Sequence, residues 1–221
     1  DRPLYTITAK LTDKRTGAPA AGIRAYLSVP GNNFELRTAI SDSDGTVRFL
    51  LQHIYPARPM IFQTDQRTDS VYRFEAGDPF PDKKFSREDQ IDSLAFFGLP
   101  DKRYMLDDYT RFSTLEEVLT EYVPEIKMKK SNGHYSLQVL NIPYKNFFKD
   151  HPMILLDGVP VFNLDALMMI DPLKIRKLEI MARKYYYGTM AWNGVISFSS
   201  YDGDLAGYPL YDNAIVKEYH K

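Results

Sequence analysis

The chain of 221 residues is long enough for one large domain or two small ones, with length to spare for a packed core. It has no cysteine, which excludes disulfides and thiolate metal sites, and its 28 basic residues against 29 acidic ones lack the polycationic character that nucleic-acid binding needs. No apolar run approaches the roughly 20 residues of a membrane helix, so no transmembrane segment of that kind is expected. The sequence opens at Asp1 without a signal peptide, and the expectation is a mature or excised piece of an exported protein.

Residues 1–75 read as all-β. Tyr5, Ile7, Ala9 and Leu11 alternate with Thr6, Thr8, Lys10 and Thr12, the period of a half-buried strand. Further short strands are predicted at Ile23–Val29, Phe34–Ile40, Thr46–Leu51, Met60–Gln63 and Val71–Phe74, separated by turns rich in Gly, Asn and Asp. Asp42 and Asp44 lack the ligand density and bidentate Glu of a calcium loop, so both are read as turn residues. Residues 76–106 change character. Gly77-Asp-Pro-Phe-Pro81 and the charged run Lys83 to Asp92 predict an extended linker or crossing segment. Its apolar tail, Ile91, Leu94, Ala95, Phe96, Phe97 and Leu99, is expected to pack on a domain.

The stretch 107–205 holds the remaining signals. Ser113-Thr-Leu-Glu116 reads as a capping box, and Leu115, Val118, Leu119 and Tyr122 give the following helix an apolar face. Val123-Pro124 ends it. Ser131-Asn-Gly133 predicts a hairpin between Lys127–Lys130, read as a solvated strand edge, and Tyr135–Val139. Met153 to Leu156 is a short buried strand, broken by the turn residues Asp157-Gly158 and resumed at Val159-Pro160-Val161. Asn163 and Asp171-Pro172 are two helix-start signals, the first predicting a helix over Leu164–Met169. Ile175 to Met181 reads as a strand. Tyr187-Gly188-Thr-Met-Ala-Trp-Asn193-Gly194 then reads as a loop feeding a final strand. Residues 206–221 are expected to form a loose tail.

Catalytic chemistry finds little foothold. His53, His134, His151 and His220 are far apart and show no zinc-ligand spacing, no phosphate-cradling glycine loop is present, and no metal or cofactor is expected. Asp107-Asp108 and Glu116-Glu117 lie where a helix dipole favours carboxylates, which accounts for them without acid–base catalysis. Tyr185, Tyr186 and Trp192 are the candidate binding residues, because amphipathic rings clustered in loops favour recognition. The alternative is that alternate tyrosines of the run are core and the others cover the surface.

In order and spacing, Asp157-Gly158-Val159-Pro160-Val161, Ile175-Arg-Lys-Leu-Glu-Ile180 and Tyr187-Gly188, Ala191, Asn193-Gly194-Val195-Ile196 resemble the plug domain of TonB-dependent outer-membrane receptors, in particular the nutrient-uptake (starch-utilisation) branch. The resemblance covers roughly residues 113–203. It implies structural roles for Asp157, Gly158, Pro160, Tyr187, Gly188, Asn193 and Gly194. Gly17-Ala-Pro-Ala-Ala-Gly-Ile23 with Ser41-Asp-Ser-Asp-Gly-Thr-Val47 is similar to immunoglobulin-like modules of the macroglobulin or carboxypeptidase-regulatory type. Glu125 stands where the plug family prefers Gly, and too few residues follow Ser200 for a membrane barrel.

The expected fold is therefore α+β: an N-terminal all-β immunoglobulin-like sandwich, then a plug-like α+β domain with a mixed sheet and short helices. The expected function is non-enzymatic binding or docking to an envelope protein, in the periplasm or associated with the outer membrane. The alternative is a carbohydrate- or peptide-binding protein using the Tyr185–Trp192 aromatic loop.

Overall fold

A computed structural model describes residues 5–51, 55, 57–75, 96–187 and 190–218. Two compact units divide the chain, one of Asp1–Ser93 with Leu210–Lys221 and one of Leu94–Pro209. The fold is predominantly β, which corrects the expected α+β class. Strands take 48% of the described residues and helical turns 13%, with two α-helices and four sheets among them. The helices are where the start signals put them but are short, with five residues after Asn163 and a single 3-10 turn after Asp171-Pro172. The strand expected over Ile175–Met181 runs on to Tyr187 and pairs with a long strand, Met190–Ser200.

The first unit contains β1 (Tyr5–Asp13), β2 (Arg24–Val29), β3 (Glu35–Ile40), β4 (Thr46–Leu51), β5 (Pro59–Thr64) and β6 (Tyr72–Phe74). Sheet β4-β1-β6 contributes Ile7, Leu11, Val47, Phe49, Leu51 and Phe74 to one core, and β2 and β5 contribute Ala25, Leu27, Val29, Met60 and Phe62. The period-2 alternation of β1 is what puts Ile7 and Leu11 inside and Thr6, Thr8 and Lys10 in water. Phe62 is the hub, with the Phe49 ring 6.0 Å away edge-on and the Phe74 ring at 5.7 Å.

The second unit contains β7 (Lys102–Met105), α1 (Leu115–Tyr122), β8 (Ile126–Ser131), β9 (His134–Asn141), β10 (Asn146–Phe147), β11 (Met153–Leu156), β12 (Val159–Pro160), α2 (Leu164–Met168), β13 (Ile175–Tyr187) and β14 (Met190–Ser200). A five-stranded sheet runs β12-β11-β14-β13-β7, with β11 parallel to β14 and the other pairs antiparallel. A three-stranded sheet, β10-β9-β8, lies against it. Part of the expected linker is thus sheet: β7 pairs with β13 from Lys177↔Met105 to Ile180↔Lys102. Residues 76–95 of it, among them Gly77–Pro81, Lys83–Asp92, Leu94 and Ala95, lie outside the described residues. Of its apolar tail, Phe97 is buried but Leu99 is 71% exposed.

The α1 capping box is one residue later than the spacing suggests. Thr114 is the N-cap and accepts from the Glu117 backbone N–H at 3.2 Å, while the Glu117 carboxylate accepts from the Thr114 backbone N–H at 3.1 Å. Thr114 wins because Leu115 then begins the helix on its buried face.

The expected loose tail is also corrected. β15 (Ile215–Glu218) joins the first unit, pairing antiparallel with β5 in a sheet ordered β15-β5-β2-β3. Ahead of it, buried Asn213 donates from Nδ2 to Thr64 Oγ1 at 3.1 Å and bonds with the Gln66 side chain. A buried amide with those partners ties the chain beside β5 just ahead of the first ladder pair.

Candidate functional site

The three candidate aromatics lie on one hairpin, β13–β14, rather than in loops. Lys184↔Asn193, Tyr185↔Trp192, Tyr186↔Ala191 and Tyr187↔Met190 are cross-strand partners. Strand alternation therefore separates the candidates: Tyr185, Tyr187 and Trp192 share one face, and Tyr186 occupies the other with Lys184. Gly188, expected to be structural, lies outside the described residues.

On the first face, the Tyr185 and Trp192 rings stack at 6.0 Å with planes 22° apart. Phe96 covers them, its centroid 5.3 Å from Tyr185, 4.9 Å from Tyr187 and 6.3 Å from Trp192. The Tyr185 hydroxyl donates to the Phe96 carbonyl at 2.7 Å. Burial, followed by the neighbouring Tyr187, pushes the Tyr185 hydroxyl up to about 12. This face is a packed four-ring cluster.

The other face is open. Tyr186 is 65% exposed, with Lys184 Nζ 5.8 Å from its ring centroid. Next to it, Asn193 Nδ2 donates to Asp150 Oδ2 at 3.0 Å, tying the hairpin to the segment after β10.

A bulge rotates the hairpin tip. Between Met181↔Val195 and Lys184↔Asn193, the two residues Ala182 and Arg183 oppose Gly194 alone. Asp101 holds this irregularity. Its backbone N–H donates to the Ile180 carbonyl at 2.9 Å, its carboxylate accepts from the Ala182 N–H at 2.8 Å, and the same carboxylate pairs with Arg183. Gly194 has φ +89°, and a Cβ there would lie 2.9 Å from Val139 of β9. The expected loop at Asn193-Gly194 is thus the interior of β14, where a second sheet approaches too closely for any side chain.

Asp157 is fully buried and occupies a left-handed conformation, as does Gly158, so the pair forms the tight turn between β11 and β12. Its carboxylate accepts from the Ser200 N–H at 2.7 Å, the Ser200 hydroxyl at 2.7 Å and the Leu205 N–H at 2.9 Å. All three donors belong to the end of β14 and the turn beyond it. The carboxylate is a clamp between chain segments, with every close partner a donor.

The other acids are engaged in the same way. Asp107 accepts from the Tyr201 hydroxyl and pairs with Arg111, which hold its carboxyl below the usual range. Glu117 closes the α1 cap. Glu179 is buried between Arg103 Nε at 2.7 Å and Lys177 Nζ at 2.8 Å. Asp42 bonds its own turn and Arg48. His134 Nδ1 lies 2.6 Å from Asp165, and among the described residues no three His, Asp or Glu side chains are grouped to hold a metal ion. No described helix is long and apolar enough to cross a membrane.

Phe96, expected in the apolar tail to pack on a domain, packs on the rings of this site, a partnership the sequence does not disclose. Its place in a charged, Pro-rich stretch hides that it meets Tyr185, 89 positions away. Compared with family models, with curated proteins and with solved structures, the chain matches none.

Proposed function

We propose that this chain is a non-enzymatic docking module of the cell envelope, periplasmic or associated with the outer membrane and related to the plugs of TonB-dependent receptors. It engages an envelope protein through the open face of the β13–β14 hairpin. The observation that carries this reading is the contrast between the two faces. One is locked by Phe96, and the other presents Tyr186 and Lys184 to solvent on a stiff support. A rigid hairpin with an exposed tyrosine loses little conformational entropy on binding. The resemblance to receptor plugs adds support, since Asp157 and Gly158 form a left-handed turn and Gly194 a close approach of two sheets, backbone features that suit the residues of that pattern.

The carbohydrate-binding alternative needs the faces of Tyr185 and Trp192 to be free, and the two rings stack on each other with Phe96 against both. It is the less favoured reading. A photo-crosslinking residue in place of Tyr186 tests the docking proposal in detergent-solubilised envelope. One defined protein is expected, competed by excess wild type and not by a Tyr186→Ala, Lys184→Ala variant. Equal competition by the variant removes the hairpin from the interface. Failure to crosslink, together with binding to a glycan array, would favour the alternative.

A further inference from the structure

The chain is nearly neutral overall, but residues 126–150 carry five lysines and a single acid, Asp150. Folding places these lysines around the small sheet β10-β9-β8. Lys127 partners Gln138 across the ladder, and Gln138 donates to the Lys149 carbonyl at 3.3 Å. The Lys127 Nζ also lies 5.8 Å from the Phe147 ring. Lys129 is one step along the same face of β8.

Between β9 and β10 the chain makes one 3-10 turn, Ile142–Tyr144, closed by Lys145 at φ 53°. Its apolar side chains face water, with Tyr144 77% and Ile142 39% exposed. Pro143 stiffens the turn, so this exposure is built into the backbone. An exposed Ile-Pro-Tyr tip with lysines behind it combines the two signals of a peripheral membrane contact. Tyrosine and short aliphatic groups favour the interfacial zone, and lysines set back from the tip meet headgroup phosphates.

We propose that this sheet docks on a bilayer surface rich in anionic headgroups, with Ile142 and Tyr144 entering the interface. A protein partner is less suited, because the lysines lie behind the apolar tip and spread along the sheet, the arrangement that meets a plane of headgroups. A free anion is less suited too, because the lysines spread along a sheet rather than converging on a point. The proposal uses residues other than Tyr186 and Lys184, so it stands or falls separately from docking through the hairpin.

Co-sedimentation of the whole chain with vesicles tests it. Wild type is expected to pellet with equal parts of phosphatidylglycerol and phosphatidylcholine, to stay soluble with phosphatidylcholine alone, and to release as salt rises. An Ile142→Ser, Tyr144→Ser variant is expected to bind about tenfold more weakly. A Lys127→Glu, Lys145→Glu variant is expected to lose binding. Far-UV circular dichroism establishes that both variants fold; should either unfold, Ile142→Ser alone and Lys145→Gln alone replace them. Pelleting with neither vesicle, equal pelleting with both, or unaltered binding by the folded variants overturns the proposal.

Discussion

The Asp157 carboxylate ties the β11–β12 turn to the end of β14 and the turn beyond it, because three donors from that distant segment converge on it. Replacing it by Asn turns one acceptor into an N–H facing a buried donor. Asp157→Asn is expected to destabilise the protein by about 3 kcal/mol, read from urea unfolding. An unchanged midpoint would show that the clamp is dispensable. The surface acids give a pH dependence of known sign. A hydrogen bond with the Asp44 carboxyl, then the Arg48 guanidinium, draws Asp42 down to about 2. Asp107 and Asp165 are also held low, the first by the Tyr201 hydroxyl and Arg111, the second by His134 and the Tyr135 N–H. Each folded value lies below the unfolded one. Their contribution is therefore complete above the unfolded range near about pH 4 and is lost as pH falls through the folded values. Urea midpoints should decline from about pH 4 towards about pH 2. Asp42→Asn should flatten that decline, and an identical slope would remove Asp42 from the account.

At the level of elements, the hairpin β13–β14 owes its stiffness to a segment that is not part of it. Residues 96–101 run beside β13, with Phe96 capping the rings and Asp101 bonding the bulge. The chain has one tryptophan, Trp192, which makes the cap measurable. Phe96→Ala is expected to shift Trp192 emission to the red and to move the Tyr185 hydroxyl back towards its ordinary range. Unaltered emission would mean the stack stays shielded without Phe96. Local signals in the sequence were legible where the cause is local. Ser131-Asn132-Gly133 marks the β8–β9 turn, with Asn132 and Gly133 both at positive φ, and Asp157-Gly158 marks another. Helix α1 was readable to within one residue. What the sequence hid depends on partners far away in the chain. The bulge needs Asp101, the glycine at 194 needs Val139, and the strand-rich fold class needs β13 paired with β7 and β14, and β14 paired with β11. The short runs after Asn163 and Asp171 do turn helically, as their caps predict, but each ends within five residues and weighs little beside the long strands.

For the whole molecule, the informative feature is the pairing of β15 with β5 across an intervening unit. Asn213→Ala removes a buried amide that bonds Thr64 and Gln66. It should raise amide exchange in β5 and β15 together while leaving β13 and β14 unaffected. Protection lost equally in both units would show that the anchor acts globally. The same feature orders events during synthesis. Every residue of the second unit leaves the ribosome before β15 does, so that unit can complete its sheets while the first still has β5 as an open edge. The part of the chain made first is thus the part finished last. Through that interval β5 stands as an unpaired edge, the kind of surface on which another chain can add a strand.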